Sequence, residues 1–207
     1  MAIVLNIASN VGSYEKLQAD IARWINRTDL GDDIPGFIVN AEARIATDLR
    51  VRQMLETATL DVVDGKSASL PDDWLEFKLV TAADGTPLQF MTPEDRQQRA
   101  SWASGDVRFF TPLGTRVQFL PEAGTAFTVE SLFYKRLVPL AMNGSNWLLI
   151  EKPNVYLYAA LAEASLFLKK PDDANRWGGL YAGLVNAMNE ESEKASHSGS
   201  SLRVRAR

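Results

Sequence analysis

The sequence predicts an α+β protein, an antiparallel helical bundle of two N-terminal and two C-terminal helices with a central antiparallel β-rich insertion and a flexible C-terminal tail. Apolar residues recur every three or four positions at both ends of the chain, which is the period of an α-helix. Short alternating or β-branched runs with turn signals between them occupy the middle. The last residues are polar and rich in serine, and they bury too little to order themselves alone.

Two helices are predicted at the N-terminal end, over residues 14–27 and 35–54. The first has one apolar stripe, and Ser13 is suited to cap its N-terminus. Pro35 opens the second helix, at a position where its missing N–H costs nothing. Because a short loop joins the two helices, we expect them to form an antiparallel hairpin.

The β-rich insertion is expected over residues 57–146. A short helix from Thr92 to about residue 103 interrupts it. The string Gly65-Lys66-Ser67 resembles the end of a phosphate-binding loop, but position 60 is leucine where that loop needs glycine, so we interpret the string as a hairpin turn. Strands are predicted over residues 59–63, 74–80, 107–110, 116–120 and 126–134.

Two further helices are predicted after the insertion. Pro153 opens the first, which is apolar almost all round and therefore suits the centre of a bundle. The second starts at an acidic pair and continues to about Met188. The predicted domains are a helical bundle, the insertion described above and a flexible basic tail; the bundle covers residues 1–56 and 147–193, and the tail covers residues 194–207.

Composition limits the chemistry available to the chain. Its 207 residues are 46% hydrophobic and 23% charged, which is ordinary for one globular domain, or for one domain with an insertion. Cysteine is absent, and His197 is the one histidine. These counts exclude disulfides, thiol nucleophiles, iron–sulfur clusters and any zinc site that needs two His or Cys ligands. We therefore expect no cofactor and no metal site.

Charge is distributed unevenly along the chain, whose formal net charge is −4. Residues 194–207 contain four basic residues and no acidic residue, so the acidic excess lies in the body of the protein. The start of the chain has no basic segment typical of a signal peptide, and the most apolar stretch, residues 155–168, is too short to span a bilayer. We expect neither export nor a membrane partner.

Four adjacent pairs of acidic residues are the candidates for catalysis. Paired carboxylates act as acid and base in glycoside cleavage when their environments separate their pKa values. Each pair, however, lies in a loop or at a predicted helix start, where the helix dipole favours negative charge. We therefore predict a protein that is not an enzyme, with a hydrolase that uses a carboxylate pair as the weaker alternative. The pairs are Asp32/Asp33, Asp72/Asp73, Glu94/Asp95 and Asp172/Asp173.

The five tryptophans fall mostly on predicted apolar stripes. Base stacking on nucleic acid would require interleaved Lys and Arg residues, so we interpret the tryptophans as core residues. They are Trp24, Trp74, Trp102, Trp147 and Trp177.

The C-terminal tail contains the candidate binding residues. In an extended conformation, Leu202 and Val204 would lie on one face and Arg203 and Arg205 on the other, with Arg207 adding a further positive charge. This pattern suits addition as a strand to the sheet edge of a partner, or docking into an acidic groove. A solubilising terminus without a partner is the alternative.

Several strings occur in a characteristic order along nearly the whole chain. They are Trp24-Ile25-Asn26-Arg27, Ile34-Pro35, Leu70-Pro71, Asp73-Trp74-Leu75-Glu76, Pro153-Asn154-Val155-Tyr156-Leu157-Tyr158, Trp177, Tyr181 and Ser198-Gly199-Ser200. In this order and spacing they resemble the head-to-tail adaptor (connector) proteins of tailed phages.

The resemblance implies a structural protein in the neck region of a virion, present in the host cytoplasm during assembly. Such adaptors form a ring, usually of twelve subunits, below the portal. The ring extends the DNA channel and provides a platform for tail, nozzle or tail-tube proteins, and the C-terminal tail engages the portal protein. No catalytic, metal-binding or cofactor-binding residue follows from the resemblance. A tail-tube or tail-completion protein of the same particle is the alternative, and a virion-associated hydrolase that uses a carboxylate pair is the weaker one.

The residues agree with these implications on independent grounds. A ring of identical subunits needs two different contact surfaces on each subunit, which a bundle with an insertion can supply. A net-acidic body repels DNA phosphates, so DNA would pass through the lumen without specific binding. A basic tail is attracted to an acidic surface of a partner.

Overall fold

The computed structural model of the protein describes residues 12–99 and 105–197. It is a mixed α+β structure with antiparallel sheets, which confirms the predicted fold class at that level. The chain divides into two units. The helical unit combines the N-terminal part up to Arg52 with the part from Leu137 onwards, and the β unit spans Gln53–Arg136.

The helices of the described chain are numbered in order, and α3 is the one that belongs to the β unit. Two of them, α4 and α5, are absent from the sequence-based prediction because they are too short to show an apolar period. The helices are α1 (Tyr14–Ile25), α2 (Ile34–Asp48), α3 (Pro93–Gln98), α4 (Leu140–Asn143), α5 (Trp147–Glu151), α6 (Pro153–Phe167) and α7 (Pro171–His197).

α1 begins as the sequence predicts. The backbone N–H of Lys16 donates a hydrogen bond to Ser13 Oγ at 3.2 Å, which satisfies one of the amides of the first turn. Leu17 and Ile21 are buried on the inner face of the helix. The helix ends at Ile25, and Asn26 caps it with a left-handed backbone, a conformation that asparagine tolerates better than most residues.

α2 is shorter than the sequence predicts, because it ends at Asp48 and not near residue 54. Leu49 takes an extended backbone conformation and is fully buried. The Arg50 N–H donates to Asn189 Oδ1 and the Asp48 carbonyl accepts from Asn189 Nδ2, each at 2.9 Å. A side chain of α7 thus bonds to the backbone at the point where the intrahelical bonds of α2 end.

α6 is buried on nearly every side. Nine of its fifteen residues are buried, so it is the element around which the helical unit packs. It contacts α1, α2, α5 and α7. This placement agrees with its apolar composition, and the exposed residues of α6 lie at its two ends.

α7 continues to His197, beyond the predicted end near residue 188, and therefore includes residues 194–197 of the expected tail. Ser192 is buried, and its Oγ accepts a hydrogen bond from the Arg52 N–H at 2.8 Å. The bonds of Asn189 and Ser192 hold the C-terminal half of α7 beside the end of α2. The polar composition of this segment gives no sign of these contacts, because their partners lie about 140 positions earlier in the sequence.

The helical unit resumes at Leu137, before the boundary at residue 146 that the sequence predicts. Leu140, at the start of α4, is fully buried, and its N–H donates to Glu42 Oε1 on α2 at 2.7 Å. Contacts with α2 therefore draw this segment into the helical unit. Burial raises the pKa of the Glu42 carboxyl, and the bond from the Leu140 N–H opposes that rise in part.

We expect the Glu42→Gln variant to gain stability relative to the unchanged protein as the pH rises from about 4.5 to about 7. With its pKa raised, the folded protein holds the Glu42 proton more tightly than the unfolded chain, so the free energy of unfolding falls as the pH rises past the ordinary carboxyl range. Glutamine removes this pH dependence and keeps an oxygen for the Leu140 N–H. Urea denaturation at both pH values measures the effect.

The control for this experiment is Glu191→Gln, which removes a carboxylate from an exposed position of α7. A stability difference between Glu42→Gln and the unchanged protein that stays constant with pH would contradict the prediction.

The strands of the described chain form two sheets, with the orders β1-β7-β3 and β2-β6-β5-β4. Neighbouring strands are antiparallel, except that β4 runs parallel to β5 over two residues. The strands β2 and β4 were not predicted because they are too short for a period of two to be visible. The strands are β1 (Leu55–Val62), β2 (Ser67–Ser69), β3 (Trp74–Ala82), β4 (Gln89–Phe90), β5 (Phe109–Leu113), β6 (Arg116–Leu120) and β7 (Phe127–Lys135).

The core of the β unit is drawn from both sheets. Val117 and Phe119 of β6 are two positions apart and fully buried, as expected for one face of a strand. The Phe119 ring meets Phe127 edge-on, with 5.5 Å between the ring centroids. The buried cluster consists of Leu60, Val62, Ala68, Val80, Leu88, Phe110, Val117, Phe119 and Val129.

The string that resembles a phosphate-binding loop is a turn between β1 and β2. The Asp64 carboxylate accepts hydrogen bonds from the N–H groups of Lys66 and Ser67, each at 2.9 Å, so the turn satisfies its own amides. Gly65 has a φ of +71°. The turn itself is confirmed, but the predicted hairpin is wrong, because β2 pairs with β6 in the other sheet.

We expect Gly65→Ala to destabilise the protein by about 2 to 4 kcal/mol, from backbone strain plus a steric clash. A Cβ atom at Gly65 would lie 2.9 Å from the carbonyl oxygen of Thr125. Gly85→Ala is the matched control, because Gly85 has a similar φ of +84° and no atom within 4 Å of the added Cβ. Thermal unfolding gives the loss of stability in each variant, and the difference between the two losses is the contribution of the clash. Equal losses of stability would show that only the backbone conformation matters.

Candidate functional site

The predicted portal-binding residues of the tail lie outside the described residues. They are Leu202, Arg203, Val204, Arg205 and Arg207. The structure describes the helix from which the tail departs, because α7 ends at His197. The residues that position the root of the tail are therefore those that hold the last turns of α7.

Two polar side chains of α7 hold its C-terminal half against the end of α2. Asn189 bonds to the backbone of Asp48 and Arg50, and Ser192 bonds to the N–H of Arg52. We call Asn189 and Ser192 the α7 clamp. Each bond satisfies a backbone group where the chain leaves α2, so the clamp stabilises the end of α2 and the end of α7 together.

The α7 clamp was not predicted from the sequence, although a signal for it exists. Tyr181 and Val185 are buried on the inner face of α7. Asn189 and Ser192 follow at steps of four and three residues, which continue the same face of the helix. A polar residue that continues an apolar stripe is expected to have a buried hydrogen-bond partner.

A second polar group links α2 to α7 about two helical turns before the clamp. The Tyr181 hydroxyl donates to Asp48 Oδ2 at 3.0 Å. Burial raises the pKa of Tyr181, and the neighbouring Asp48 carboxylate raises it further. The Arg44 guanidinium lies 5.9 Å from the centre of the Tyr181 ring and also forms an ion pair with Glu163 of α6. These side chains link α2, α6 and α7 to one another, so their interactions stabilise the fold.

An aromatic group lies at the surface of the helical unit. Trp24 is 47% exposed, so the interpretation of this residue as a core residue was wrong. Its ring meets Trp177 edge-on at 5.4 Å, and Tyr158 stacks on Trp177 at 5.7 Å between centroids. The Arg176 guanidinium lies 5.4 Å from the Trp177 ring centre. We call Trp24, Tyr158, Trp177 and Arg176 the aromatic cluster.

Trp24 is exposed because of its position on α1. Leu17 and Ile21 occupy the buried positions of this helix, and Trp24 follows at its C-terminal end, where the chain turns away. Half-exposed aromatic side chains beside an arginine are typical of surfaces that bind another protein. Of the other tryptophans, Trp74 and Trp147 are partly buried, and Trp102 lies outside the described residues.

A family model described as SU10 adaptor protein matches residues 13–205, which is nearly the whole chain. The chain belongs to the SU10 adaptor protein family. This membership confirms the resemblance to phage head-to-tail adaptors and makes the protein a structural component of a phage particle that interacts with other components of that particle. None of the curated proteins compared with the chain matches it.

The match of this SU10 adaptor protein includes both units and most of the tail. Of the predicted portal-binding residues, Leu202 to Arg205 lie inside the matched range and Arg207 lies beyond it. The α7 clamp and the aromatic cluster lie inside it as well. Gly12 and the residues before it lie outside the matched range.

The acidic pairs of this SU10 adaptor protein lie at helix starts and in a turn. Asp33 occupies the N-cap position of α2 without a side-chain bond to the helix, and the other two helix-start pairs lie in the first turns of α3 and α7. The pair Asp72/Asp73 lies in the turn before β3. Across residues 12–99 and 105–197, no group of three or more His, Cys, Asp or Glu residues is arranged to hold a metal ion. Nor does any helix in that part of the chain combine the length and apolar character needed to cross a membrane.

Proposed function

We propose that this SU10 adaptor protein forms a ring of twelve subunits below the portal of a tailed phage. The ring would lie in the neck of the virion, extend the DNA channel and provide a platform for tail, nozzle or tail-tube proteins. DNA would pass through its lumen without specific binding. The observation that carries this proposal is the family match over residues 13–205.

Exposed apolar side chains in both units support assembly into a ring. A ring of one repeated subunit needs two different contact surfaces on each copy. In the helical unit, Trp24 of the aromatic cluster is 47% exposed. In the β unit, Phe90 is 61% exposed and Leu113 is 51% exposed. Each unit thus offers an apolar surface of its own to a neighbouring subunit.

We also infer that α1, α2, α6 and α7 form the antiparallel bundle that the sequence predicts. α6 contacts the other three helices. The connections are short, because residues 26–33 join α1 to α2 and residues 168–170 join α6 to α7. Consecutive helices joined by such short connections pack as antiparallel neighbours.

The tail would bind the portal protein. Its last residues are basic, with Arg203, Arg205 and Arg207 close together in the sequence. The α7 clamp fixes the helix from which the tail starts, since its last member, Ser192, lies only five residues before the end of α7 at His197. A fixed root holds the start of the tail in one orientation, which lowers the conformational entropy that binding costs.

Light scattering of the protein alone, and after mixing with the portal from the same phage, tests the proposal. A monomer that joins the portal as a multi-subunit ring supports a ring assembled on the portal. A ring that forms alone and still joins the portal supports the same function with a different order of assembly. Absence of association in both states overturns the proposal and favours a tail-tube or tail-completion protein.

A further inference from the structure

A cavity of about 120 Å³ lies where the described chain begins, between the N-terminal ends of α1 and α6 and the helix α5. Buried leucines contribute to its lining, namely Leu17, Leu149 and Leu157. Polar residues also line it, including Asn154 and the ion pair of Lys16 with Asp20 at 3.0 Å. An apolar cavity of roughly 150 Å³ accommodates a benzene molecule, so this one is of a size for an aliphatic side chain.

The chain is fixed to the wall of this cavity at Gly12. The Gly12 carbonyl accepts a hydrogen bond from Ser145 Oγ at 2.6 Å, and the Tyr14 N–H donates to the Gly144 carbonyl at 2.8 Å. A Cβ atom on Gly12 would lie 2.9 Å from Ile150 Cα, so the backbone approaches α5 as closely as only glycine permits. The segment that precedes Gly12 therefore starts at the edge of the cavity.

The surface beside this point is apolar and exposed. Ile150 contacts Gly12 and is 55% exposed. Met142, two residues before the bonded Gly144, is 81% exposed. Exposed apolar side chains beside a cavity whose inner lining is leucine mark a surface suited to bind an apolar segment.

The segment that precedes Gly12 has the matching composition. Residues 1–11 lie outside the described residues and contain no charged side chain. Most of the first eight are apolar, namely Met1, Ala2, Ile3, Val4, Leu5, Ile7 and Ala8. Eleven extended residues span about 36 Å, so the segment is long enough to fold back over the cavity and over Ile150.

We propose that residues 2–8 dock on this surface of their own chain, with one aliphatic side chain in the cavity and others against Ile150. Attachment at Gly12 makes the binding intramolecular, so the effective concentration of the segment is in the millimolar range without any further contact. Docking removes the apolar side chains of both partners from water. The proposal goes beyond the ring and portal functions and does not depend on them.

Introduced cysteines test the proposal in the full chain, which has no cysteine of its own. The test pair is Leu5→Cys with Asn154→Cys, at the rim of the cavity. The control pair is Leu5→Cys with Leu166→Cys, an exposed position about 18 Å further along α6. We expect the intrachain disulfide of the test pair to form at least tenfold faster under mild oxidation, measured by intact mass.

A second comparison separates apolar docking from simple tethering. Adding Ile3→Asp and Ile7→Asp to the test pair should slow disulfide formation about tenfold, whereas Ser9→Asp, which adds a charge outside the docked residues, should leave the rate unchanged. Equal rates for the test and control pairs, or no effect of the two aspartates, would overturn the proposal. A product that joins isotope-labelled and unlabelled chains would overturn the intrachain arrangement and identify a second copy as the occupant.

Discussion

Deletion of residues 198–207 should leave the fold intact and reduce binding to the portal at least 100-fold. The deletion removes Arg203, Arg205 and Arg207, and with them most of the positive charge of the C-terminal end. It leaves the α7 clamp in place, because Asn189 and Ser192 precede the cut. The affinity is measured as binding of each variant to portal protein immobilised on a surface, and thermal unfolding checks that the fold is intact.

Two variants of the full-length chain separate the contribution of the tail's positive charge from that of its apolar face. Replacing the three tail arginines with glutamine should weaken binding most at low salt, because screening reduces their attraction to an acidic surface. Replacing Leu202 and Val204 with serine should weaken binding at every salt concentration, because strand addition needs one apolar face. A truncated protein that binds the portal as tightly as the full chain would refute the role of the tail.

The double variant Asn189→Ala/Ser192→Ala should destabilise the protein by about 2 to 4 kcal/mol. It leaves the N–H groups of Arg50 and Arg52 and the carbonyl of Asp48 without the partners that they have in the folded protein. Three hydrogen bonds are lost, and each bond of this kind contributes on the order of 1 kcal/mol. Urea denaturation measures the loss, and hydrogen exchange should show faster opening in the last two turns of α7.

The matched control is Asn186→Ala, which makes the same change at an exposed position of the same helix. Alanine has the higher helix propensity, so this variant should be unchanged or slightly more stable. A double variant with the stability of Asn186→Ala would show that the α7 clamp does not hold the end of α2. It would also remove the argument that the root of the tail is fixed.

The functional surfaces were predictable from the sequence to unequal degrees. The basic, alternating tail is visible as a pattern, and the order of the short strings is sufficient to indicate the adaptor family that the match over residues 13–205 shows. The aromatic cluster was not predictable, because periodicity places Trp24 and Trp177 on apolar stripes and does not report how far a stripe extends beyond the core. The cavity beside Gly12 depends on α1, α5 and α6 together, and no local pattern describes it.

The local sequence by itself determined α1, α6 and β6. Ser13 bonds to the first turn of α1, Pro153 begins α6, and the bounds of β6 match the predicted strand. These elements depend on interactions between residues a few positions apart, which the sequence contains directly. The local sequence also determines the turn at Gly65, since the Asp64 carboxylate binds amides only two and three residues away.

Only the tertiary structure decided where α2 ends, how far α7 extends and which sheet each short strand joins. α2 stops at Asp48 because Asn189, far away in the sequence, bonds to the backbone beyond it. The bonds of Asn189 and Ser192 also hold the C-terminal half of α7 beside the end of α2. β2 joins the sheet of β6 and not that of β1, its neighbour in the chain. In each case a partner distant in sequence satisfies a backbone hydrogen bond, and local propensity carries no information about that partner.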